Sequence, residues 1–214
     1  MSSSNKQYYL QDSRANVGSN FMFWAPEGAG YTSNIDKAAV FSEEEAFAQH
    51  ESRHTDVPWP IEYIQARARP VVDMQYIKYE EALTMYPDAA EFYLQKPGKW
   101  DGNDILLVRA MNDNISSELQ NARLVTREHL RKNEVLEQRY VAWPRAYIES
   151  KTRLAADSTR CNIKEALAPT GRTIVVVRPP KAERLHCHGC GIFLSIGNYY
   201  SSSGCTRCGA DNRP

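Results

Sequence analysis

An internal repeat with a period of 84 residues constrains this chain more than any other feature. Tyr9-Leu10-Gln11 recurs as Tyr93-Leu94-Gln95, Trp59-Pro60 as Trp143-Pro144, Tyr63-Ile64 as Tyr147-Ile148, and Glu81-Ala82-Leu83 as Glu165-Ala166-Leu167. An ungapped comparison of 7–84 with 91–168 holds 17 identities in 78 positions, among them Gly18 with Gly102, Arg69 with Arg153 and Asp73 with Asp157. The substitutions keep the chemistry. Phe21-Met22-Phe23-Trp24 faces Ile105-Leu106-Leu107-Val108, an apolar segment on both sides. The Gly-rich turn after Trp24 faces Asn112, Asp113 and Asn114, which tolerate the same turn backbone. Ser42 faces Thr126, and both residues are helix N-cap types. A fixed period of this kind marks a structural unit used twice.

Each unit reads as a small α+β fold of two or three strands and two helices. Tyr8 to Gln11 and Phe21 to Trp24 are strand candidates, and Ala39 to Phe41 is a third. A capping box, Ser42 with Glu45, starts a helix, and Phe41 can staple onto Ala46. The second copy keeps the staple as Val125 and Leu130 but has His129 in place of Glu45. Proline suits a first helical position, so a second helix is expected from Pro60 and from Pro144. In the first copy it ends at Pro70. Val71 to Met74 reads as a further strand and Glu80 to Leu83 as a short helical turn. The expected organisation is repeat 1 over 1–90, repeat 2 over 91–178 and a C-terminal module over 179–214. Thr173 to Arg178 closes the second repeat as a strand, and Pro179-Pro180-Lys181 is a linker.

The C-terminal module carries the strongest chemical signal. Its cysteines read C-x2-C-x14-C-x2-C: Cys187, Cys190, Cys205 and Cys208. Two such knuckles separated by a hairpin are what a tetrahedral thiolate site needs. Glycine follows the second cysteine of each pair, at Gly191 and Gly209. About 30 residues bury too little surface to fold alone, so a metal is expected to staple the module. Four thiolates leave no open position, so one structural zinc per chain is expected. Four thiolates also suit iron. His186 and His188 flank the first knuckle as surface residues, and Cys161 reads as a core residue.

Other motifs are weaker. His50-Glu51-Ser52-Arg53-His54 matches H-E-x-x-H, which on a helix would aim two imidazoles at a metal with Glu51 as general base. No third ligand stands out, and exposed histidines at a helix end are the simpler expectation. Arg69 with Asp73, and Arg153 with Asp157, read as local ion pairs. Trp59 and Trp143 read as packing residues. Gly28-Ala29-Gly30 is a hairpin turn and not a phosphate loop. Arg123, Arg127 and Arg131 line one face if a helix extends back to Arg123, with Lys132 beside them. The chain holds 26 basic and 26 acidic side chains, but 1–90 carries −6, 91–168 carries +2 and 169–214 carries +4. The basic tail keeps an anionic partner open. No apolar run is long enough to span a membrane, and Met1 to Lys6 lacks the apolar stretch of a secretory signal, so a cytoplasmic protein is expected.

Several segments resemble a family of uncharacterised proteins encoded by tailed phages and prophages. They are Tyr8-Tyr9-Leu10-Gln11, Gly30-Tyr31-Thr32-Ser33, Ala39 to Ala46, Asp56-Val57-Pro58-Trp59-Pro60, Val72-Asp73-Met74-Gln75 and the closing run Cys205 to Pro214. The resemblance covers the first repeat and the zinc end; the second repeat matches more loosely. It implies an accessory protein of the bacterial host cytoplasm and brings no established activity. The leading expectation is a non-enzymatic binding or adaptor protein that modulates a host bacterial protein or defence complex. The alternatives are a nucleic-acid binder using the ribbon and the Arg123 to Lys132 face, and a hydrolase at His50, Glu51 and His54.

Overall fold

The computed structural model of the chain describes residues 6–112, 114–175 and 185–213. It is α+β, and it divides into two compact units, 1–175 and 176–214. The first unit contains two five-stranded antiparallel sheets with the same strand arrangement.

In the first sheet, β1 (Gln7–Asp12) is central. It pairs on one side with β2 (Phe23–Trp24) and β4 (Phe41–Ser42), and β3 (Tyr31–Thr32) extends β2. Between β4 and β5 lies α1 (Glu43–Ser52). The Ser42 hydroxyl accepts from the Glu45 amide at 3.2 Å and the Glu45 carboxylate accepts from the Ser42 amide at 2.9 Å, so the capping box is complete. On the other side of β1 runs β5 (Asp56–Pro60), followed by α2 (Ile61–Gln65), β6 (Ala68–Val72) and α3 (Tyr79–Met85). The second sheet repeats this with β7 (Glu91–Asp101), β8 (Asp104–Val108), β9 (Ile115–Ser116) and β10 (Leu124–Thr126). Then come α4 (Arg127–Arg131), α5 (Glu134–Arg139), β11 (Val141–Pro144), α6 (Arg145–Ser150), β12 (Thr152–Ala156) and α7 (Ile163–Leu167).

Each sheet therefore has five strands, not two or three. The extra ones are β3 and β9, which follow the turn, and β5 and β11, whose prolines suggested helix starts. Strands β5 and β11 each pair only with the central strand of their sheet, so Pro58, Pro60 and Pro144 sit on an unpaired edge where no N–H is required. The helices begin one residue later, at Ile61 and Arg145. Pro70 likewise lies inside β6, and α2 has already ended at Gln65. Thr173 to Val175 form no strand. The remainder of that expected strand, and the linker, lie outside the described residues.

The halves exchange their last elements. Strands β6 and β12 pair with each other antiparallel, with Leu154 opposite Pro70 and Thr152 opposite Val72. Pro70 and Leu154 are 84 apart, so a residue meets its own counterpart at the centre of this ribbon. The core beneath the first sheet is built from Tyr9, Phe21, Phe23, Ile35, Trp59 and Ile64, and it takes Ala156 and Ala166 from the second half. The core beneath the second sheet is built from Tyr93, Ile105, Leu107, Leu119, Trp143 and Ile148, and it takes Val72 and Ala82 from the first. Apolar side chains of one half are thus covered only when the other half is folded, which makes 1–175 one cooperative unit.

The crossing point is tight. Gly18 and Gly102 have φ of +61° and +63°, and a Cβ on Gly18 would lie 2.3 Å from the Gly102 amide nitrogen. Around them sits a buried polar cluster. The Arg69 guanidinium donates to Ser117 Oγ at 2.8 Å, Ser19 Oγ at 2.7 Å and Asn20 Oδ1 at 3.1 Å. Arg153 donates to Asp104 Oδ1 at 2.6 Å and to the Ser33 carbonyl at 3.1 Å. Asn20 Nδ2 donates to Asp104 Oδ2 at 2.7 Å. Arg69 faces Asp157 at 3.5 Å, and Arg153 faces Asp73 at 3.9 Å. The expected local pairs, Arg69 with Asp73 and Arg153 with Asp157, are therefore replaced by reciprocal pairs between halves. The β6–β12 pairing brings each arginine to the opposite carboxylate.

Candidate metal centre

The second unit is a short hairpin, β13 (Leu185–His186) paired with β14 (Phe193–Leu194), followed by α8 (Ile196–Tyr199) and a second knuckle. The knuckles share one geometry. The Gly191 amide donates to the Cys187 carbonyl at 2.9 Å, and the Gly209 amide to the Cys205 carbonyl at 2.8 Å. The Cys187 amide donates to Ile192 O at 2.9 Å, and the Cys205 amide to Ala210 O at 2.8 Å. Gly191 and Gly209 both have φ of +72°, the left-handed backbone that lets the chain fold back over its cysteine pair.

Cys187, Cys190, Cys205 and Cys208 converge so that their sulfurs all lie within 4.8 Å of one another. Cys187 and Cys208 are 3.6 Å apart and Cys190 and Cys205 are 3.7 Å apart, and none forms a disulfide. Metal–sulfur bonds of about 2.3 Å in a tetrahedron require edges of about 3.8 Å, which these separations match. The four cysteines are thus positioned to hold a metal ion. Two of the thiols are shifted in opposite directions by their surroundings. Amides of Cys190 and Gly189 help hold the Cys187 thiol down to about 6. At Cys208 the Ala210 amide also favours the thiolate, but the sulfurs of Cys190, Cys187 and Cys205, together with burial, outweigh it and push that thiol up to about 12.

His186 and His188 are exposed and stand outside the sulfur cluster. His188 Nε2 is 2.7 Å from the Tyr199 hydroxyl, while its amide donates to Asn212 Oδ1 at 2.8 Å. Asn212, 1 % exposed, ties the end of the second knuckle to the first. Its residue type carries no metal signal, so only its place in the closing resembling segment pointed to it.

The remaining candidates fall elsewhere. His50 is buried, not exposed; its Nδ1 is 2.8 Å from the Asp56 carbonyl. Helix α1 ends at Ser52, so His54 lies past the helix, with its Nδ1 3.0 Å from the His50 carbonyl. The two rings still lie 5.3 Å apart, but each Nδ1 faces a backbone carbonyl, and among the described residues His50, Glu51 and His54 belong to no group of three or more side chains that could hold a metal ion. Strand β10 separates Arg123 from α4, so the basic face does not run back that far. Arg127 is anchored to the carbonyls of Ala89 and Pro87 at 2.7 and 2.6 Å, and Lys132 pairs with Glu128 at 2.5 Å. Trp59 and Trp143 are buried and donate to Gln11 and Gln95 at 2.7 and 2.6 Å. Cys161 packs against the first core, where burial pushes its thiol up to about 11. Gly28 and Gly30 turn the chain from β2 into its antiparallel neighbour β3. Among the described residues no helix is long and apolar enough to cross a membrane.

Compared with protein-family models, curated proteins and solved structures, the chain matches none of them.

Proposed function

We propose that this chain is a non-enzymatic binding protein: a duplicated α+β body, arranged as a dimer within one chain, that carries a structural zinc ribbon. The duplication is supported by the counterparts that fill matching places: Tyr9 and Tyr93, Trp59 and Trp143, Ile64 and Ile148. The reciprocal β6–β12 register supports it further, because self-complementary contacts are what a twofold produces. The metal is zinc, one per chain, and it serves folding. The observation that carries the binding reading is the set of four mutually close sulfurs, which fills a tetrahedral ion completely and leaves no place for a reacting water.

The resemblance to phage and prophage accessory proteins supports a bacterial cytoplasmic setting and a host protein or defence complex as the target. Exposed Phe193, Ile196 and Tyr200 on the ribbon provide apolar contact area of the kind that protein partners cover. The test is capture from bacterial lysate on the tagged full chain, with and without nuclease, across a salt series. A protein or complex retained after nuclease treatment and at moderate salt is the expected result. Retention that disappears with nuclease and falls steeply with salt overturns the reading in favour of a nucleic-acid binder.

A further inference from the structure

Arg69 and Arg153 occupy counterpart positions, but the polar corners around them are completed differently. At Arg69 the chain supplies every carboxylate itself. Asp101 and Asp157 lie 3.6 and 3.5 Å from its guanidinium. Glu118, buried, lies 3.8 Å from it, pairs with Arg160 and accepts from the Asn121 side-chain amide. That corner therefore holds two cations and three carboxyl groups.

At Arg153 one carboxyl group is missing. Asp104 and Asp73 lie 2.6 and 3.9 Å from its guanidinium, which is buried. The counterpart of Glu118 is Asn34, whose shorter side chain turns back to accept from the Asp36 amide at 3.1 Å. The counterparts of Arg160 and Asn121 are Tyr76, 66 % exposed, and Lys37, also exposed. Arg153, Tyr76 and Lys37, which stand where the holders of Glu118 stand in the other corner, line a cavity of about 210 Å³ together with Asn34 and Asp73. With Lys37 counted, this corner holds two cations and two carboxyl groups.

We propose that this cavity binds a small carboxylic acid anion from solution, its carboxylate taking the place that Glu118 takes beside Arg69. The incoming charge gives both corners the same balance. Asp73 does not forbid it, because Asp157 stands closer to Arg69 than Asp73 does to Arg153, and Glu118 is still held there. Lys37 supplies at the rim the charge that Arg160 supplies at the other corner. The buried Arg153 attracts an anion more strongly than a surface cation does, since less water screens it. The volume is below the roughly 300 Å³ at which sites for drug-sized ligands begin, so a compact acid fits and a nucleotide does not. The inference goes beyond the binding-protein reading and needs neither a macromolecular partner nor the metal.

The probe is succinate, titrated into the full chain at low ionic strength with amide shifts as the readout. Inorganic phosphate is the comparison anion. Saturation is expected with a Kd of about 1–10 mM. The largest shifts should fall at Asn34, Lys37 and Tyr76, with none at the filled corner around Glu118. Lys37→Ala, at an exposed position, should weaken binding about threefold. Asn34→Glu should abolish it, because the chain then supplies the carboxylate itself. Asn34→Ala loses the same Asp36 contact without adding charge and should keep the affinity within about twofold. The proposal is overturned by no saturation up to about 50 mM, by shifts centred elsewhere, or by phosphate binding as tightly as succinate. It is overturned equally by binding that Asn34→Glu leaves unchanged, or that Asn34→Ala also abolishes. A capped peptide with one central aspartate carries the same group on a larger body and should bind more weakly than succinate. Tighter binding of that peptide assigns the cavity to a side chain of a partner protein and overturns the free acid as its occupant.

Discussion

The two lobes of the body share a strand arrangement and a core, yet they differ at the edge of the exchanged helix. In the first lobe, Leu167 is sealed by Ile174 and by the Arg172–Glu43 pair. In the second, Leu83 is 41 % exposed, while Arg127 is held by the carbonyls of Pro87 and Ala89 and Ala89 packs on the neighbouring cluster. The lesson is that two units with matching interiors diverge at an edge, where a large Ile174 lies over one cluster and a small Ala89 over the other. The interior is held to complementary shapes by close packing. An edge answers only to whatever covers it. The ribbon offers a further contrast. It too is made of paired halves, but its two knuckles meet through four sulfurs positioned to hold an ion, where the lobes meet through glycine, buried arginine and shared apolar side chains.

Metal removal gives the largest expected effect and separates these two ways of joining halves. Chelation should unfold the ribbon, because structural zinc contributes on the order of 10 kcal/mol to such modules. The body should keep its thermal transition, read by circular dichroism and calorimetry, and mass spectrometry of the untreated chain should show one zinc. A body that melts with the ribbon would break the contrast.

Next in size are the glycines at the crossing point. Gly18→Ala and Gly102→Ala each put a Cβ within 2.5 Å of opposing backbone at a positive φ. Each should cost at least about 3 kcal/mol in urea unfolding. The two losses should agree within about 0.5 kcal/mol, since each glycine does the same job for the other. Unequal losses would show that the lobes do not share the crossing evenly.

The leucine pair should split. Leu167→Ala should cost about 2–4 kcal/mol as a buried truncation, and Leu83→Ala less than about 1 kcal/mol. Equal losses would mean that Leu83 is covered in solution as Leu167 is.

The smallest effect concerns pH. Asp104 is fully buried, and burial raises its carboxyl above the ordinary range despite the Arg153 guanidinium and the Asn20 amide. The folded state therefore holds this proton more tightly than the unfolded chain does. The resulting stabilisation is complete below the unfolded value, near pH 4, and is lost as pH rises through the raised folded value. The counterpart of Asp104 is the uncharged Asn20. Asp104→Asn should remove this slope, so that the stability of the variant relative to the parent improves from about pH 4 upward. A difference that stays flat with pH would show that Arg153 keeps Asp104 ionised throughout.

Local features were readable from residues alone. The Ser42–Glu45 capping box, the glycine turn after Trp24 and both cysteine knuckles depend on contacts within a few positions, and the structure forms them as their spacing implies. The strands β5 and β11 were not readable. Asp-Val-Pro-Trp-Pro signals a helix start as much as an edge strand, and only its pairing with β1 decides between them. The H-E-x-x-H segment is not helical throughout, for a similar reason: helix α1 ends at Ser52, before the second histidine, and His50 Nδ1 faces the Asp56 carbonyl.

From its sequence alone, this protein has a repeat period, an apolar pattern for each unit, and four thiols spaced for one ion. Only the tertiary structure decided that Arg69 answers to Asp157 and not to Asp73, that α3 and α7 change places, and that Leu167 is covered while Leu83 stays exposed. The physical reason is range. Caps, turns and knuckles are satisfied by neighbours in the chain, whereas the exchange of elements depends on surfaces about 84 positions apart that acquire partners only when both halves have folded.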